Sequence, residues 1–194
     1  MRRSLVPALF ATAALLPFYA HAERPSYSEV DLSYVTTDVD NFNEDVDGFR
    51  LRGSLEITDQ AFLFASYTDQ STSIFGEDLN FNTYNLGAGY AWPIADSVDV
   101  YGKLGYTKVE AEYAGANADD SGYTLAGGLR GRMTPQLELE GSLNYVDLSD
   151  SGNDTSIGLG ARWFFTEQFA VGAEGEFGSN ANTYGLGVRW SFGS

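Results

Sequence analysis

The chain has 194 residues, no cysteine, a formal net charge of −16 and an aromatic complement of 13 Phe, 12 Tyr and 3 Trp. The missing cysteines exclude disulfide stabilisation, and the acidic balance argues against nucleic acid as a partner, because it carries the same sign of charge. A high net charge is common in disordered chains, but so many aromatic residues indicate a protein that buries them or embeds them in a membrane.

Residues 1–22 carry the features of a secretory signal peptide in the expected order. Two arginines precede an apolar run of about a dozen residues, and small residues follow it up to Ala22. The run is shorter than the roughly 20 residues that a membrane-spanning helix needs, so an uncleaved anchor is the weaker alternative. We therefore predict a helical signal peptide cleaved after Ala22 and one domain over 23–194. The only histidine, His21, leaves with the signal peptide.

Beyond residue 26 polar and apolar residues alternate with a period of two, in segments that are typical of transmembrane β-barrel strands. The last segment is the clearest, since Tyr184, Leu186 and Val188 share one face while Gly185 and Gly187 share the other. An even strand number fits a bacterial single-chain barrel, so we predict an all-β, closed antiparallel barrel of ten strands, with eight as the alternative. The predicted strands are 27–36, 48–57, 61–69, 83–92, 98–109, 122–133, 137–147, 155–164, 169–177 and 183–192.

The connections alternate in length, which predicts an orientation in the membrane. Outer-membrane barrels have short periplasmic turns and longer extracellular loops, so both chain termini are expected in the periplasm. The predicted periplasmic turns are 58–60, 93–97, 134–136 and 166–168. The predicted extracellular connections are 37–47, 70–82, 110–121, 148–154 and 178–182.

A soluble β-sandwich is the alternative fold, because it produces the same alternation. The position of charge separates the two, since the basic residues of the strands fall almost entirely on the polar faces. An Arg or Lys on a lipid-facing surface near mid-bilayer costs about 2–4 kcal/mol, so a membrane barrel must turn these residues inward. Together with the signal peptide and the aromatic last strand, this pattern favours the barrel.

The polar faces predict a network of charges inside the barrel. The short turn at 134–136 sets a register that places Arg132 opposite Glu138 and Arg130 opposite Glu140. Small barrels are usually filled by side chains, so we favour a structural network over an ion-selective constriction. The predicted inward cations are Arg50, Arg52, Lys103, Arg130, Arg132, Arg162 and Arg189, and the predicted inward anions are Glu29, Asp31, Glu56, Asp99, Glu138, Glu140, Glu174 and Glu176.

The predicted outer loops are acidic, with Lys108 as the only basic residue near them. Clustered carboxylates suit Ca²⁺ or Mg²⁺ bridging to lipopolysaccharide, but the segments 38–40 and 45–48 lack the spacing of a calcium loop. A solvated anionic surface is therefore the favoured interpretation, and no metal residue is predicted. The acidic residues are Asp38, Asp40, Glu44, Asp45, Asp47, Asp69, Glu77, Asp78, Glu110, Glu112, Asp119, Asp120, Asp147, Asp150 and Asp154.

The sequence offers little for catalysis. Without histidine beyond residue 22, a hydrolase would need another base, and Lys103 is more simply an inward cation paired with carboxylates. No glycine-rich phosphate loop stands out, because the Gly-X-Gly patterns lie in strands. We therefore expect no enzymatic activity, no catalytic residues and no cofactor.

The chain resembles the small outer-membrane β-barrel superfamily of OmpX-like and OmpA-like proteins over essentially all of 23–194. The last strand carries much of this resemblance, since it looks like the C-terminal signal read by the barrel-assembly machinery, although Gly193 and Ser194 follow the terminal aromatic residue. The resemblance implies a monomeric protein of the cell outer membrane that contacts lipid and lipopolysaccharide. The residues matching the assembly signal are Tyr184, Gly185, Gly187, Trp190 and Phe192.

The segments 34–38, 47–49 and 62–70 resemble small vesicle-associated outer-membrane proteins of xanthomonad-type bacteria. This narrower resemblance implies a surface-exposed protein with vesicles as a further location, and it transfers no site residues. Two functions are therefore expected, of which the first is a structural or surface-interaction barrel with acidic loops. The second is a narrow passive channel for small solutes or ions, which the near balance of inward charges disfavours.

Overall fold

The computed structural model describes residues 23–39, 45–74, 77–113 and 115–192, which form a closed β-barrel. Every strand pairs antiparallel with its neighbours along the chain, and β10 pairs with β1 to close the ring. The predicted ten-stranded barrel is thus confirmed, and the eight-strand alternative is wrong. The strands are β1 Glu29–Val39, β2 Val46–Glu56, β3 Ala61–Ile74, β4 Glu77–Ala95, β5 Val98–Tyr113, β6 Ala116–Arg132, β7 Leu137–Leu148, β8 Gly152–Phe164, β9 Phe169–Phe177 and β10 Ala181–Ser191.

The described part of the chain contains no helix with the length and apolar character needed to cross a membrane. The predicted signal peptide, 1–22, lies outside the described residues, and its cleavage stays a prediction.

Apolar side chains cover the outside of the barrel, as the alternation predicts. In β8, Leu159 and Trp163 are about half exposed, at 55% and 54%, whereas the intervening Arg162 is only 6% exposed. Leu186 of β10 is the most exposed of the large apolar side chains, at 70%. Successive residues of a strand point to opposite faces, so the apolar face meets the surroundings and the charged face lines the lumen.

Two of the predicted outer loops are wrong, because their residues continue the strands. β3 and β4 stay paired as far as Ile74 and Glu77, and β5 and β6 stay paired as far as Tyr113 and Ala116. The outward face of these extensions becomes polar, as at Asn80, Asn82 and Glu112, so the apolar outer face that marks a lipid-facing strand ends there although the backbone ladder continues. The segments 70–82 and 110–121 are therefore two long hairpins.

The remaining outer connections are also shorter than predicted. The segments 148–154 and 178–182 reduce to 149–151 and 178–180, because β7, β8 and β10 extend into them. The first connection narrows from both sides, and its residues 40–44 lie outside the described residues.

Three of the short turns share the sequence Thr-X-Gln, beginning at Thr58, Thr134 and Thr166. In each turn the Thr hydroxyl accepts a hydrogen bond from the backbone N–H three residues later, at 2.9 to 3.0 Å. The Gln carbonyl of each turn then accepts the N–H of a strand end in the neighbouring hairpin, at 2.7 to 2.8 Å. The repeated turn therefore joins the hairpins into one continuous rim.

Candidate functional site

The inward charges meet around Glu138 of β7, whose side chain is completely buried. Its carboxylate accepts hydrogen bonds from Arg130 of β6 at 3.0 Å and Arg189 of β10 at 3.1 Å. Arg162 of β8 lies 3.4 Å from the same carboxylate. A buried charge is tolerated only when it is paired, and here one carboxylate is shared by three guanidinium groups.

Two acidic residues of β1 complete this group. Arg130 forms a bidentate pair with Glu29 at 3.0 and 2.6 Å, and Arg189 forms one with Asp31 at 2.9 Å to each oxygen. In the strand order β1 and β6 lie on opposite sides of the ring, so the pair between Arg130 and Glu29 spans the lumen. We call the residues Glu29, Asp31, Arg130, Glu138, Arg162 and Arg189 the ion-pair core.

Further ion pairs continue from the ion-pair core toward the long hairpins. Glu174 of β9 pairs with Arg50 at 3.3 Å and more closely with Arg52, both on β2. Glu140 of β7 accepts a hydrogen bond from Arg162 at 2.9 Å and another from the Tyr101 hydroxyl at 2.7 Å. Most of the predicted inward charges therefore lie together in the lumen and bind one another across several strands.

The strand register between β6 and β7 is the predicted one, but the ion pairs do not follow it. Arg130 lies opposite Glu140 and Arg132 lies opposite Glu138. The Arg130 guanidinium nevertheless hydrogen-bonds Glu138 and Glu29 instead of Glu140, because a long side chain in a narrow lumen reaches diagonal and cross-lumen partners. Arg132 is 4.0 Å from Glu138, stacks 4.0 Å over the Phe164 ring, and its buried Nε has no hydrogen-bond partner.

Three predicted members of the network take other roles. Glu56 accepts hydrogen bonds from the residues before β1, and Glu176 accepts them from Ser156 and Asn144. Lys103 lies over aromatic rings. Within the described ranges none of these three forms an ion pair, so their assignment as ion-paired residues is wrong. The cause is local, since neutral donors bind Glu56 and Glu176, and Lys103 lies against aromatic rings.

Residues 23–28, here called the N-terminal segment, close the short-turn end of the lumen. Arg24 donates from Nε to both oxygens of the fully buried Asp99, at 2.9 and 3.0 Å. The same guanidinium donates to the backbone carbonyls of Asp59 and Ala91. Arg24 therefore ties the segment to β4, β5 and a short turn, which fixes it across the barrel mouth.

Tyr27 inserts into the lumen from this segment. Its ring stacks on Phe62 at 4.5 Å and meets Tyr101 edge-on at 6.5 Å, while the Arg130 guanidinium lies 5.0 Å above it. Glu56 accepts its backbone N–H at 3.1 Å. The N-terminal segment and the ion-pair core thus form two stacked layers, together called the plug.

Sequence reasoning missed the N-terminal segment as a functional element. Arg24 precedes the first strand, so the alternation assigned it no face. A signal was present in Asp99, an inward carboxylate at a strand end, and in Arg24, a cation to which no face had been assigned. A buried carboxylate needs a cation, and Arg24 was the unassigned one.

The inward glycines of β4 and β6 make room for the aromatic rings of the lumen. A Cβ at Gly89 would lie 2.2 Å from the Phe62 ring, and a Cβ at Gly128 would lie 2.8 Å from the Tyr101 ring. Phe62 and Gly89 are direct cross-strand partners, an arrangement in which a ring covers the bare backbone of its neighbour. Glycine therefore sets which parts of the lumen can hold a large side chain.

A cavity of about 510 Å³ occupies the other half of the lumen. It extends from the plug, where Arg130 and Glu140 line it, to Gln70, Val109 and Asp154 near the long-hairpin end. The lumen is thus filled on the short-turn side and hollow on the long-hairpin side.

The acidic surface around the long hairpins has little cationic compensation. Lys108 pairs with Glu110 at 2.6 Å and lies 3.8 Å from Asp119. Asp120 accepts hydrogen bonds from Ser151 and from the backbone N–H groups of Ser121 and Asp150, which lowers the pKa of its carboxyl.

No group of three or more acidic side chains in the described part of the chain is arranged to hold a metal ion. The predicted loop residues Asp40 and Glu44 lie outside the described residues.

Four residues of the predicted assembly signal lie on the closing strand, β10, and Phe192 directly follows its last residue. Tyr184, Trp190 and Phe192 point outward and are 42 to 47% exposed, with the last two rings 5.2 Å apart. Gly185 and Gly187 face inward, and a Cβ at Gly187 would lie 2.4 Å from the Ser33 hydroxyl of β1. Gly187 therefore permits close approach at the seam between the first and last strands, and Gly185 leaves room for the Glu174 side chain of β9.

The model of a family described as the outer membrane protein beta-barrel domain matches residues 6–192. A search of curated proteins finds no match.

Solved structures with a similar fold include the NanC porin, with a TM-score of 0.53, 9% identity, and coverage of 84% of this chain and 100% of that chain. The KdgM porin in complex with disordered oligogalacturonate gives a TM-score of 0.51, 15% identity, and coverage of 85% and 99%. Ail, the attachment invasion locus protein of Yersinia pestis, in complex with the heparin analogue sucrose octasulfate, gives a TM-score of 0.47 and 17% identity. The match covers 84% of this chain and 95% of that chain. At these identities the likeness concerns the fold alone.

Proposed function

This chain belongs to the outer membrane protein beta-barrel domain family, and on that premise we propose that it is a closed, non-enzymatic barrel with a structural or surface-interaction role. It is a protein of the cell outer membrane, and its resemblance to the small outer-membrane barrels is confirmed. The narrower resemblance to vesicle-associated proteins of xanthomonad-type bacteria stays a prediction. In the proposed role the acidic hairpins meet the environment, and the strands hold them in the membrane.

The plug is the observation that carries this proposal. Glu138 and Asp99, the anchors of its two layers, are each completely buried, and Phe62, on which Tyr27 stacks, is 1% exposed. The ion pairs of the first layer cross the lumen, and the N-terminal segment covers them from the short-turn side. A solute would have to break both layers to pass.

A narrow passive channel is the second candidate, and the cavity of about 510 Å³ favours it. The cavity is large enough for a small molecule and is lined by polar groups, as a permeation path would be. It leads only to the plug, however, so conduction would require a rearrangement of Arg130, Glu29 and Tyr27. The closed barrel needs no such change.

The proposed partners follow from the outer surfaces of the barrel. The apolar girdle, with Leu86 64% and Leu143 61% exposed, fits a lipid environment, and the acidic hairpins would adjoin lipopolysaccharide. The closing strand would be read by the barrel-assembly machinery. A closed ring leaves no unpaired strand edge within the barrel wall, which fits a monomer.

Planar-bilayer recording of the refolded full chain tests the closed barrel against the channel. We expect no steady conductance from the wild type. A triple variant, Tyr27→Ala, Glu29→Ala and Arg130→Ala, removes side chains from both layers and is expected to conduct. Single-channel currents from the wild-type protein would contradict the closed barrel and favour the channel.

The recording needs two controls. Gel mobility before and after heating shows whether the triple variant has formed a barrel at all. Lys108→Ala removes a cation outside the lumen and should show no steady conductance, as expected for the wild type.

A further inference from the structure

Lys103 differs from the other cations of the lumen because, among the described residues, no carboxylate lies within ion-pair distance of its ammonium group. Across the described ranges, its Nζ makes neither a hydrogen bond nor an ion pair, and its contacts are with the Tyr101 ring at 4.7 Å and the Phe64 ring at 5.9 Å. The residue lines the cavity above the plug. The rings attract the ammonium group by cation–π interaction, but they are neutral and do not balance its charge.

Four of the six carboxylates that line the cavity, those of Glu29, Asp31, Glu140 and Glu174, are already engaged by arginine side chains. Glu140 accepts from Tyr101 with one oxygen and from Arg162 with the other. Glu174 is taken up by Arg50 and Arg52. The cavity therefore contains one ammonium whose charge no neighbouring carboxylate binds directly.

Neutral hydrogen-bonding side chains dominate the remaining polar wall of the cavity. They are drawn from facing strands, so they could surround a ligand rather than meet it on one side. They include Ser66, Thr68, Asn85, Thr107, Thr124, Ser142 and Asn144. Hydroxyl and amide groups recognise hydroxylated molecules, and a cavity of about 510 Å³ is in the size range of small-molecule sites.

We propose that this cavity binds a small hydroxylated carboxylate of the sugar-acid class, with Lys103 as the residue that pairs with its carboxylate. The anion would pair directly with the Lys103 ammonium, and its hydroxyl groups would bind the polar wall. Because the site lies entirely above the plug, binding requires no passage through the barrel. This inference therefore stands or falls separately from the conduction experiment.

The test is calorimetric titration of the refolded full chain with D-glucuronate, and with D-glucose as the uncharged probe. We expect saturable binding of glucuronate and none of glucose. Lys103→Met keeps the apolar stem and removes the charge, so it should weaken glucuronate binding at least about tenfold, the effect of losing one charge-assisted contact. Lys108→Met, the same change at the only other lysine, should leave the affinity unchanged.

A second measurement locates the ligand without substituting Lys103. Reductive methylation with ¹³C labels both lysines, and Lys108→Met identifies which signal belongs to Lys103. Glucuronate should shift the Lys103 signal and leave the Lys108 signal in place. The proposal is overturned if glucuronate shows no saturable binding, if Lys103→Met binds as tightly as the wild type, or if inorganic sulfate binds equally well, since the hydroxylated body would then contribute nothing.

Discussion

Glu138 shows how much of the lumen depends on single charges. Four arginine side chains approach its carboxylate, three as hydrogen-bond donors and Arg132 at 4.0 Å. Without that negative charge the guanidinium groups would face one another in a region closed to water, where repulsion is poorly screened. Removing one buried partner leaves the others uncompensated.

We predict that Glu138→Gln lowers the free energy of unfolding by about 3–5 kcal/mol, the cost of breaking a buried ion pair from one side. Glutamine keeps the size and one acceptor oxygen, so the loss reports the charge. Urea unfolding of the refolded barrel measures it. The matched control is Glu176→Gln, whose carboxylate accepts only from Ser156 and Asn144 and should cost clearly less. Equal losses of unfolding free energy in both variants would show that the charge of Glu138 contributes no more to stability than the charge of Glu176.

At this scale the sequence predicted which charges face inward, but not all of their partners. The alternation of side chains along each strand is enough to predict that Arg130 and Glu138 face inward. The pair between Arg130 and Glu29 joins strands on opposite sides of the ring, so it depends on how the barrel closes and how far each side chain reaches. The spacing of residues along one strand does not show which side chains meet across the lumen.

At the scale of the strand, glycine and aromatic residues are paired across the lumen wall. Phe62 of β3 lies over Gly89 of β4, and this placement gives Tyr27 a ring to stack on. Gly89 thus has a packing role in the lumen wall. Which residues of β3 and β4 lie opposite each other depends on where the hairpin between them turns. The sequence did not predict this pairing, because it placed a long loop at 70–82.

We predict that Gly89→Ala destabilises the barrel by about 1–3 kcal/mol, the usual cost of overpacking, because the new Cβ would overlap the Phe62 ring. Gly102→Ala is the matched control, since its nearest neighbour is 3.9 Å away. Restricting that glycine in the unfolded chain should leave stability unchanged or slightly higher. Urea midpoints of the two variants give the comparison, and a neutral Gly89→Ala would refute the packing role.

The strand ends show where sequence reasoning failed for a physical reason. The period-two signal arises from lipid on one side and a polar lumen on the other, so it ends where the membrane ends. Hydrogen bonds between β5 and β6 continue up to Tyr113 and Ala116 regardless of polarity. Hairpins that extend beyond the lipid are therefore mistaken for loops.

For the whole molecule, the same alternation explains both the fold and its place in the membrane. The ring leaves apolar side chains outside and confines seven of the nine basic residues beyond residue 22 to the inside, where carboxylates bind most of them. Such an arrangement is stable only when the outer face is apolar along the full membrane-spanning part of each strand. The outer face of β8 is therefore a place where a single charge should be decisive.

We predict that Leu159→Arg blocks insertion, because Leu159 lies near the middle of β8 and its side chain is 55% exposed on the apolar face. An arginine near mid-bilayer costs about 2–4 kcal/mol, enough to remove much of the stability of a marginally stable fold. Leu159→Phe is the control, since it changes the shape but keeps the surface apolar. The measurement is gel mobility with and without heating after refolding into lipid vesicles. A heat-modifiable band that persists in Leu159→Arg would show that this face does not meet lipid.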